Sequence, residues 1–487
     1  MDGVKPAMFK VTSTLDLPDA KPGNGFCSTA AGTCTLRAAI QEVNASGNNL
    51  QPATIYLRAH TYKLMIGGYG ENAAATGDLD VAVSVNVVGR GAGKTIIDGN
   101  GLDRVFHVTP HYYNPDTWDA PLLSAPGEVT QLTLSALTIR NGKTPADGLS
   151  PSTVWSWSAG GGIFNTQGRV VLFTSEGDPL GLGAVYLFDT RVINNFAALS
   201  GGGIQNEAGL VAVVGGEISN NQAGHEGDEG WSWGGGVEND KGTTLIDRCL
   251  IAGNQAFKGG GIFNWLGYMR IGNSTLIFNR AEGCAAVSSV SWWGPTDRSG
   301  FTLLFSTVVQ NEVAPWYYDK LPQMCFPSPI GGLCSEYSSG CDIPPFTIGA
   351  SIVAQNFAVV ESPPGWLPPS GVSNCGDELG ALAGQFRSVG YNIVDVVDPL
   401  FGELVSDPSV PSAVDFLGID PGLDVFGYNG GPTKTYQLNI TSPAIDQVPL
   451  ELCEEAGFVD QRGFPRPVDG NADGTALCDI GAVEYTP

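Results

Sequence analysis

Three carboxylates stand at matching places in a repeated phrase. "GGGIQNE" from Gly201 ends on Glu207, and "GGGVEND" from Gly234 carries Glu238 and Asp240. If the two phrases form neighbouring parallel strands, Glu207 and Asp240 stand about 5 Å apart and Glu207 and Glu238 about 8 Å apart. Carboxyl pairs at such separations perform glycoside hydrolysis, the closer pairing through a covalent intermediate and the wider one through an intervening water. The bland alternative is a solvated acidic rim. Elimination from a uronate polymer would instead need a base near neutral pH. Lys241, Arg248, Lys258 and Arg280 are its candidates, and His225 reads as a loop tip.

A sugar polymer also needs surfaces to lie on. Trp155, Trp157, Trp231, Trp233, Trp292 and Trp293 sit in polar, glycine-rich stretches, and Trp265 follows the phrase at Gly259. Flat rings suit the C–H faces of sugars, so these tryptophans are candidate walls of a glycan trough, against the plainer reading that they pack loops onto the body.

Oxygen ligands for calcium are patterned near the C-terminus. In "DGNADG", Asp469, Asn471 and Asp473 alternate before Gly474, the spacing with which a turning loop directs hard oxygens at calcium. Ile480 stands where such a loop closes with a bidentate Glu, so a structural calcium site is weighed against an Asx-rich turn. Glu71, Asp78 and Asp80 in "ENAAATGDLDV" form a second candidate, which a strand entry explains equally well.

The elements that would position these groups are legible in the spacing. Gly160, Gly201, Gly234 and Gly259 each open a GGG phrase, and strand-like segments end in Asn at Asn141, Asn195, Asn221, Asn254, Asn279, Asn311 and Asn356. The distance from Gly201 to Asn221, from Gly234 to Asn254 and from Gly259 to Asn279 is always 20 residues. Insertions fall between an Asn and the next GGG. Alternating Val, Ile, Leu and Thr with no helical period makes the body a stack of short strands. A coil of this kind cannot bury its inner face alone, whereas stacked coils share one core. The expected fold is all-β, a right-handed parallel β-helix over about residues 51–400. Phe164, Gln205, Glu238 and Phe263 should stack in one outward row, with Thr166, Glu207, Asp240 and Trp265 in the next.

The ends should differ. In residues 1–50, "CTLRAAIQEVN" places Leu36, Ala39, Ile40 and Val43 on one helical face, an amphipathic cap for the first coil. Residues 401–487 read as an irregular, disulfide-bearing C-terminal segment. Cys27 with Cys34 and Cys453 with Cys478 are the expected bonds, and Cys325, Cys334, Cys341 and Cys375 are expected to pair among themselves.

A net charge of −25 disfavours nucleic acid and anionic lipid as partners. No apolar run is long enough to span a membrane, and no P-loop, GxSxG, HExxH or nucleotide fingerprint occurs. Cysteines without metal spacing favour an oxidising compartment. The start lacks an apolar leader, so a mature exported chain is expected.

"CSTAAGTCTLRAAIQEVN", "ATGDLDV", "TIIDGNGLDRVFHV", the GGGIxN phrases, "SPAIDQ" and "DQRGFPRPVDG…CDIGAVEY" resemble the secreted bacterial CSLREAI-type β-helix proteins, akin to pectin-lyase-like folds and polymorphic outer membrane protein repeats. The resemblance covers most of the chain. It implies the fold and export, and no single activity. Two functions follow as expectations: a secreted or cell-surface polysaccharide-degrading enzyme, hydrolase or lyase, using Glu207, Glu238 and Asp240; or a non-catalytic adhesin or structural protein that binds a surface glycan.

Overall fold

The computed structural model describes residues 6–48, 51–109, 130–144, 158–166, 183–224, 232–291, 300–313, 331–337, 346–358, 382–395, 397–410 and 414–487. Two compact units emerge, Met1–Ala223 with Val237–Thr244, and Gly224–Gly236 with Leu245–Pro487. Both are built as the expected right-handed parallel β-helix.

In the first unit the longer strands form three parallel stacks. One stack runs Met8–Lys10, Ala53–Tyr56, Val85–Val88, Thr130–Ser135, Gly183–Phe188 and Leu210–Val214, each parallel to the next. A second runs Thr61–Lys63, Ile96–Asp98, Thr138–Arg140, Arg191–Ile193 and Glu217–Ser219. The third holds the carboxylates: Leu79–Val81, Phe106–Val108, Ile163–Thr166, Ile204–Glu207 and Val237–Asp240. Its inward residues Leu79, Phe106, Ile163, Ile204 and Val237 are fully buried, giving the continuous core that repetition requires.

The N-terminal helix, Leu36–Ser46, caps this stack. Thr35 accepts from the Ala38 amide at its start, and Gly47, at φ 61°, ends it, the expected N-cap and left-handed C-cap chemistry. Leu36, Ala39, Ile40 and Val43 are all buried. Asn44 reaches the strand edge, its Nδ2 donating to Asp80 O at 2.8 Å and its Oδ1 accepting from Ala82 N at 3.0 Å. An edge that would otherwise recruit another chain is thereby occupied.

The second unit repeats the plan. Leu250–Ala252, Thr275–Ile277, Thr307–Val309, Ile352–Ala354, Ile393–Val394 and Phe416–Leu417 form one parallel stack. Asparagine amides run up its corner: Asn254, Asn279 and Asn311 each donate Nδ2 to the Oδ1 of the next Asn, at 3.0, 2.9 and 2.9 Å. Asn195 and Asn221 do the same in the first unit at 3.0 Å. Asn141 departs from the expected equivalence: it lies one residue early in register, at φ 56°, and Gly142 donates to Asn195 in its place.

The C-terminal segment packs back on the second unit. Ala444, Ile445, Val448, Cys453, Cys478 and Ile480 share a buried cluster with Ile277, Phe305 and Ile352. Gly481 N donates to Ala350 O at 2.9 Å and Ala482 N to Thr307 Oγ1 at 3.1 Å.

Cys27–Cys34 and Cys453–Cys478 are bonded as expected. The expectation for the central group is corrected at Cys334, which bonds Cys284. The reason is geometric: Val287–Ser291 and Leu333–Tyr337 are paired strands, which brings Cys284, at the entry to the first, beside Cys334 on the second. Cys325, Cys341 and Cys375 lie outside the described residues.

Candidate functional site

Strand register sets the carboxylates. Phe164 pairs with Gln205 and Gln205 with Glu238, while Thr166 pairs with Glu207 and Glu207 with Asp240. Glu207 and Asp240 are therefore direct neighbours on adjacent strands, about 5 Å apart at the backbone, with Glu238 diagonal to Glu207. These are the relations expected from the spacing.

Solvation differs from the expectation of an open outward row. Phe164, Gln205 and Glu238 are 1%, 5% and 6% exposed. The GGG corner explains this. Gly201, at φ 60°, lies so close to the following strand that a Cβ there would meet Gln205 Cβ at 2.8 Å, and one on Gly160 would meet Phe164 Cβ at 2.7 Å. At Gly160 and Gly201 the corner thus folds over the outward position four residues later, and Gly234, at φ 62°, opens the same phrase before Glu238; only Gly permits both the backbone and the approach. Glu207 and Asp240, two residues further along, remain half-exposed.

Burial dictates the state of Glu238. Loss of water pushes its carboxyl up to about 8, Ser200 and Gln205 hold it back by hydrogen bonding, and the nearby Asp240 and Glu207 push it further up. Its Oε2 is buried with no hydrogen-bond partner. At neutral pH Glu238 is thus mainly a protonated acid beside two further carboxyl groups, the division of roles that separates proton donor from partner in glycoside hydrolysis.

Three of the candidate cations face carboxylates, Lys241 that of Asp240 within the trio itself. Lys241 Nζ lies 3.1 Å from Asp240, Arg248 Nε 3.1 Å from Asp247, and Arg280 Nε 3.8 Å from Glu312. Lys258 meets Trp233 through a backbone bridge. His225 lies outside the described residues, as do Trp155, Trp157, Trp231, Trp292 and Trp293.

Two of the tryptophans are described, both in the second unit. Trp233 stacks on Phe263 with centroids 6.1 Å apart and planes at 20°, and Phe263 meets Trp265 at 6.1 Å and 28°. Trp233 and Trp265 are half-buried on either side of a buried Phe263. The row forms because Phe263 and Trp265 project from one face of strand Ile262–Trp265.

Asp469, Asn471 and Asp473 occupy a loop whose side-chain oxygens already accept backbone N–H groups. Asp469 accepts from Asp473 and Gly474, Asn471 from Asp473, and Asp473 from Thr475, at 2.8 to 3.2 Å. This is an Asx-turn arrangement that holds its shape through its own hydrogen bonds.

Sequence reasoning missed His107. It pairs directly with Asp80 across adjacent strands, and the only signal was its outward place in the alternation "RVFHV".

No family model matches this chain. No curated protein matches it either. Among solved structures, the crystal structure of pectate lyase Pel9A is similar at a TM-score of 0.44 and 11% identity, over 99% of this chain and 97% of that one.

Proposed function

We propose that the chain is a secreted or cell-surface β-helix protein that cleaves polysaccharide by hydrolysis, with Glu238 as proton donor. The observation that carries this reading is Glu238 itself: buried, raised to about 8, and set beside Glu207 and Asp240 by strand register. The half-exposed pair marks the side from which a sugar chain would approach, and one member of it would act as nucleophile or base. Elimination is the weaker chemistry, because Lys241, Arg248 and Arg280 each face an acidic partner. Three disulfides fit an oxidising location.

A panel of plant, bacterial and animal polysaccharides, scored for released reducing ends and for unsaturated products, tests the proposal. Reducing ends without unsaturation are expected. Glu238→Gln, conservative because Gln already stands at the neighbouring rung, should lower cleavage by about 100-fold or more while binding persists. Unsaturated products would move the chemistry to elimination.

A second reading, a glycan-binding adhesin, is supported by the row of Trp233, Phe263 and Trp265. Binding without any product, lost in Trp233→Ala, would favour it.

A further inference from the structure

The first unit contains a buried acidic cluster that the proposed hydrolysis does not use. Asp78 and Asp80 project from the entry and the middle of strand Leu79–Val81, and His107 stands at the paired position on Phe106–Val108. One donor atom from each of the three lies within 4.8 Å of the other two, and all three residues are buried. Bonds of about 2.1 Å span about 4.2 Å, so a small side-chain rotation closes the set around one ion.

Charge is out of balance there. Asp103 adds a third buried carboxyl, and Arg104 is the fixed cation among them, its Nε 3.3 Å from Asp78 and 3.7 Å from Asp103. The neighbouring Arg37 does not relieve the deficit, because it is matched to Asp16 at 2.6 Å and spends its other donors on carbonyls of Ala74, Gly77 and Asp78. Glu71 is committed to the amides of Ala73, Ala75 and Thr76.

The decisive atom is Asp80 Oδ1. Asp80 is 0% exposed, and its Oδ2 accepts from Ala74 N at 2.8 Å. Its Oδ1 has no hydrogen-bond partner; His107 Nδ1 lies 3.3 Å away without the alignment that a hydrogen bond needs. A buried carboxylate oxygen left without a donor is costly. Meanwhile His107 is held as a ligand would be. Its Nε2 is 2.7 Å from Thr166 Oγ1, and its ring lies flat on Phe164 at 5.2 Å. Fixing one ring nitrogen by a hydrogen bond directs the other at a metal.

We propose that Asp78, Asp80 and His107 bind one divalent ion of the zinc and cobalt class. Two carboxylates and an imidazole suit such an ion, whereas calcium and magnesium favour oxygen alone. The ion would neutralise the excess carboxylate charge and clamp the first two rungs of this strand stack beside the capping helix.

Chelator-treated full-length protein, titrated with Co²⁺, tests this. Wild type should take up one equivalent with visible d–d bands, and Zn²⁺ should displace it while an equal concentration of Ca²⁺ should not. Asp80→Asn and His107→Gln should each weaken Co²⁺ binding by at least about 100-fold, and Thr166→Val by about 10-fold. Asp473→Asn should bind as wild type does. Because a variant could misfold, Cu²⁺-loaded wild type provides an independent reading: its paramagnetic resonance spectrum should show coupling to one nitrogen. No cobalt uptake by wild type, uptake unchanged in both folded ligand variants, a spectrum with no nitrogen coupling, or equal competition by Ca²⁺ overturns the proposal.

Discussion

Two buried clusters of opposed charge sit in this protein, and they are built to different rules. In the second unit Asp460, Asp479 and Glu484 gather around Arg462 and Arg466, all buried. Each of their six carboxylate oxygens accepts a backbone N–H: Asp460 from Arg462 and Glu484, Asp479 from Asp446 and Tyr485, Glu484 from Val468 and Asp479. In the first unit Asp80 has one oxygen satisfied and one orphaned. Burial raises carboxyl groups in both places, Asp80 and Asp479 each to about 8. What separates them is the supply of donors. Carboxylates sated by backbone amides act as a fastening, and an oxygen to spare is what the proposed metal site rests on.

The largest effect should come from breaking the fastening. Asp460 also takes the Arg462 side chain at 2.6 Å, so Asp460→Ala leaves a buried guanidinium without its carboxylate and the amides of Arg462, Phe464 and Glu484 without their acceptor. Denaturant unfolding should show a loss of about 3–5 kcal/mol, and Zn²⁺ should stabilise wild type and variant alike, leaving that difference unchanged.

Stability against pH separates the clusters next. Asp80, Glu238 and Asp479 hold protons in the folded chain up to about pH 8 but release them near pH 4 when unfolded. The folded state therefore binds more protons between those values, and stability falls as pH rises through that window. Thermal melts of metal-free protein should decline from pH 5 to pH 8. Zn²⁺ at about 100 times its dissociation constant should return roughly 2.7 kcal/mol at the upper end and less at pH 5, where protons compete for Asp78 and Asp80. A melt that rises with pH would contradict this.

The smallest effect should be Asp80→Asn in the metal-free protein. Below about pH 8 it exchanges a protonated carboxyl for an amide of the same shape, so unfolding should shift by no more than about 1 kcal/mol in either direction, in contrast to Asp460→Ala. A loss as large as that of the fastening would mean that Asp80 is a structural carboxylate.

Much of the fold was legible because it repeats. The interval of 20 residues from Gly201 to Asn221 and its copies records a constant path from corner to corner, and the apolar alternation of "TTLIDRCLIAGN" records the inner face. The rung that joins Glu207 to Asp240 follows from that repetition alone. Burial of Glu238 did not, because alternation tells which side of a strand a residue takes and not what lies over that side; the cover comes from the glycine corner. Asp80 and His107 meet across 27 residues with no repeated phrase to align them, and Cys284 and Cys334 across 50. The knot around Asp460 was visible only as "DQRGFPRPVDG" and "CDIGAVEY", strings whose partners are mostly backbone amides and so leave no pattern of side chains to read.

The most direct measurement of the proposed function is the pH dependence of reducing-end release on the most responsive polysaccharide, wild type beside Glu238→Gln. If Glu238 is the proton donor, wild-type kcat/KM should hold through neutral pH and fall above an apparent pKa near 8, and the Glu238→Gln variant should be at least about 100-fold slower with that alkaline limb gone. An alkaline limb that survives in the variant, or a rate equal to wild type, would contradict the assignment.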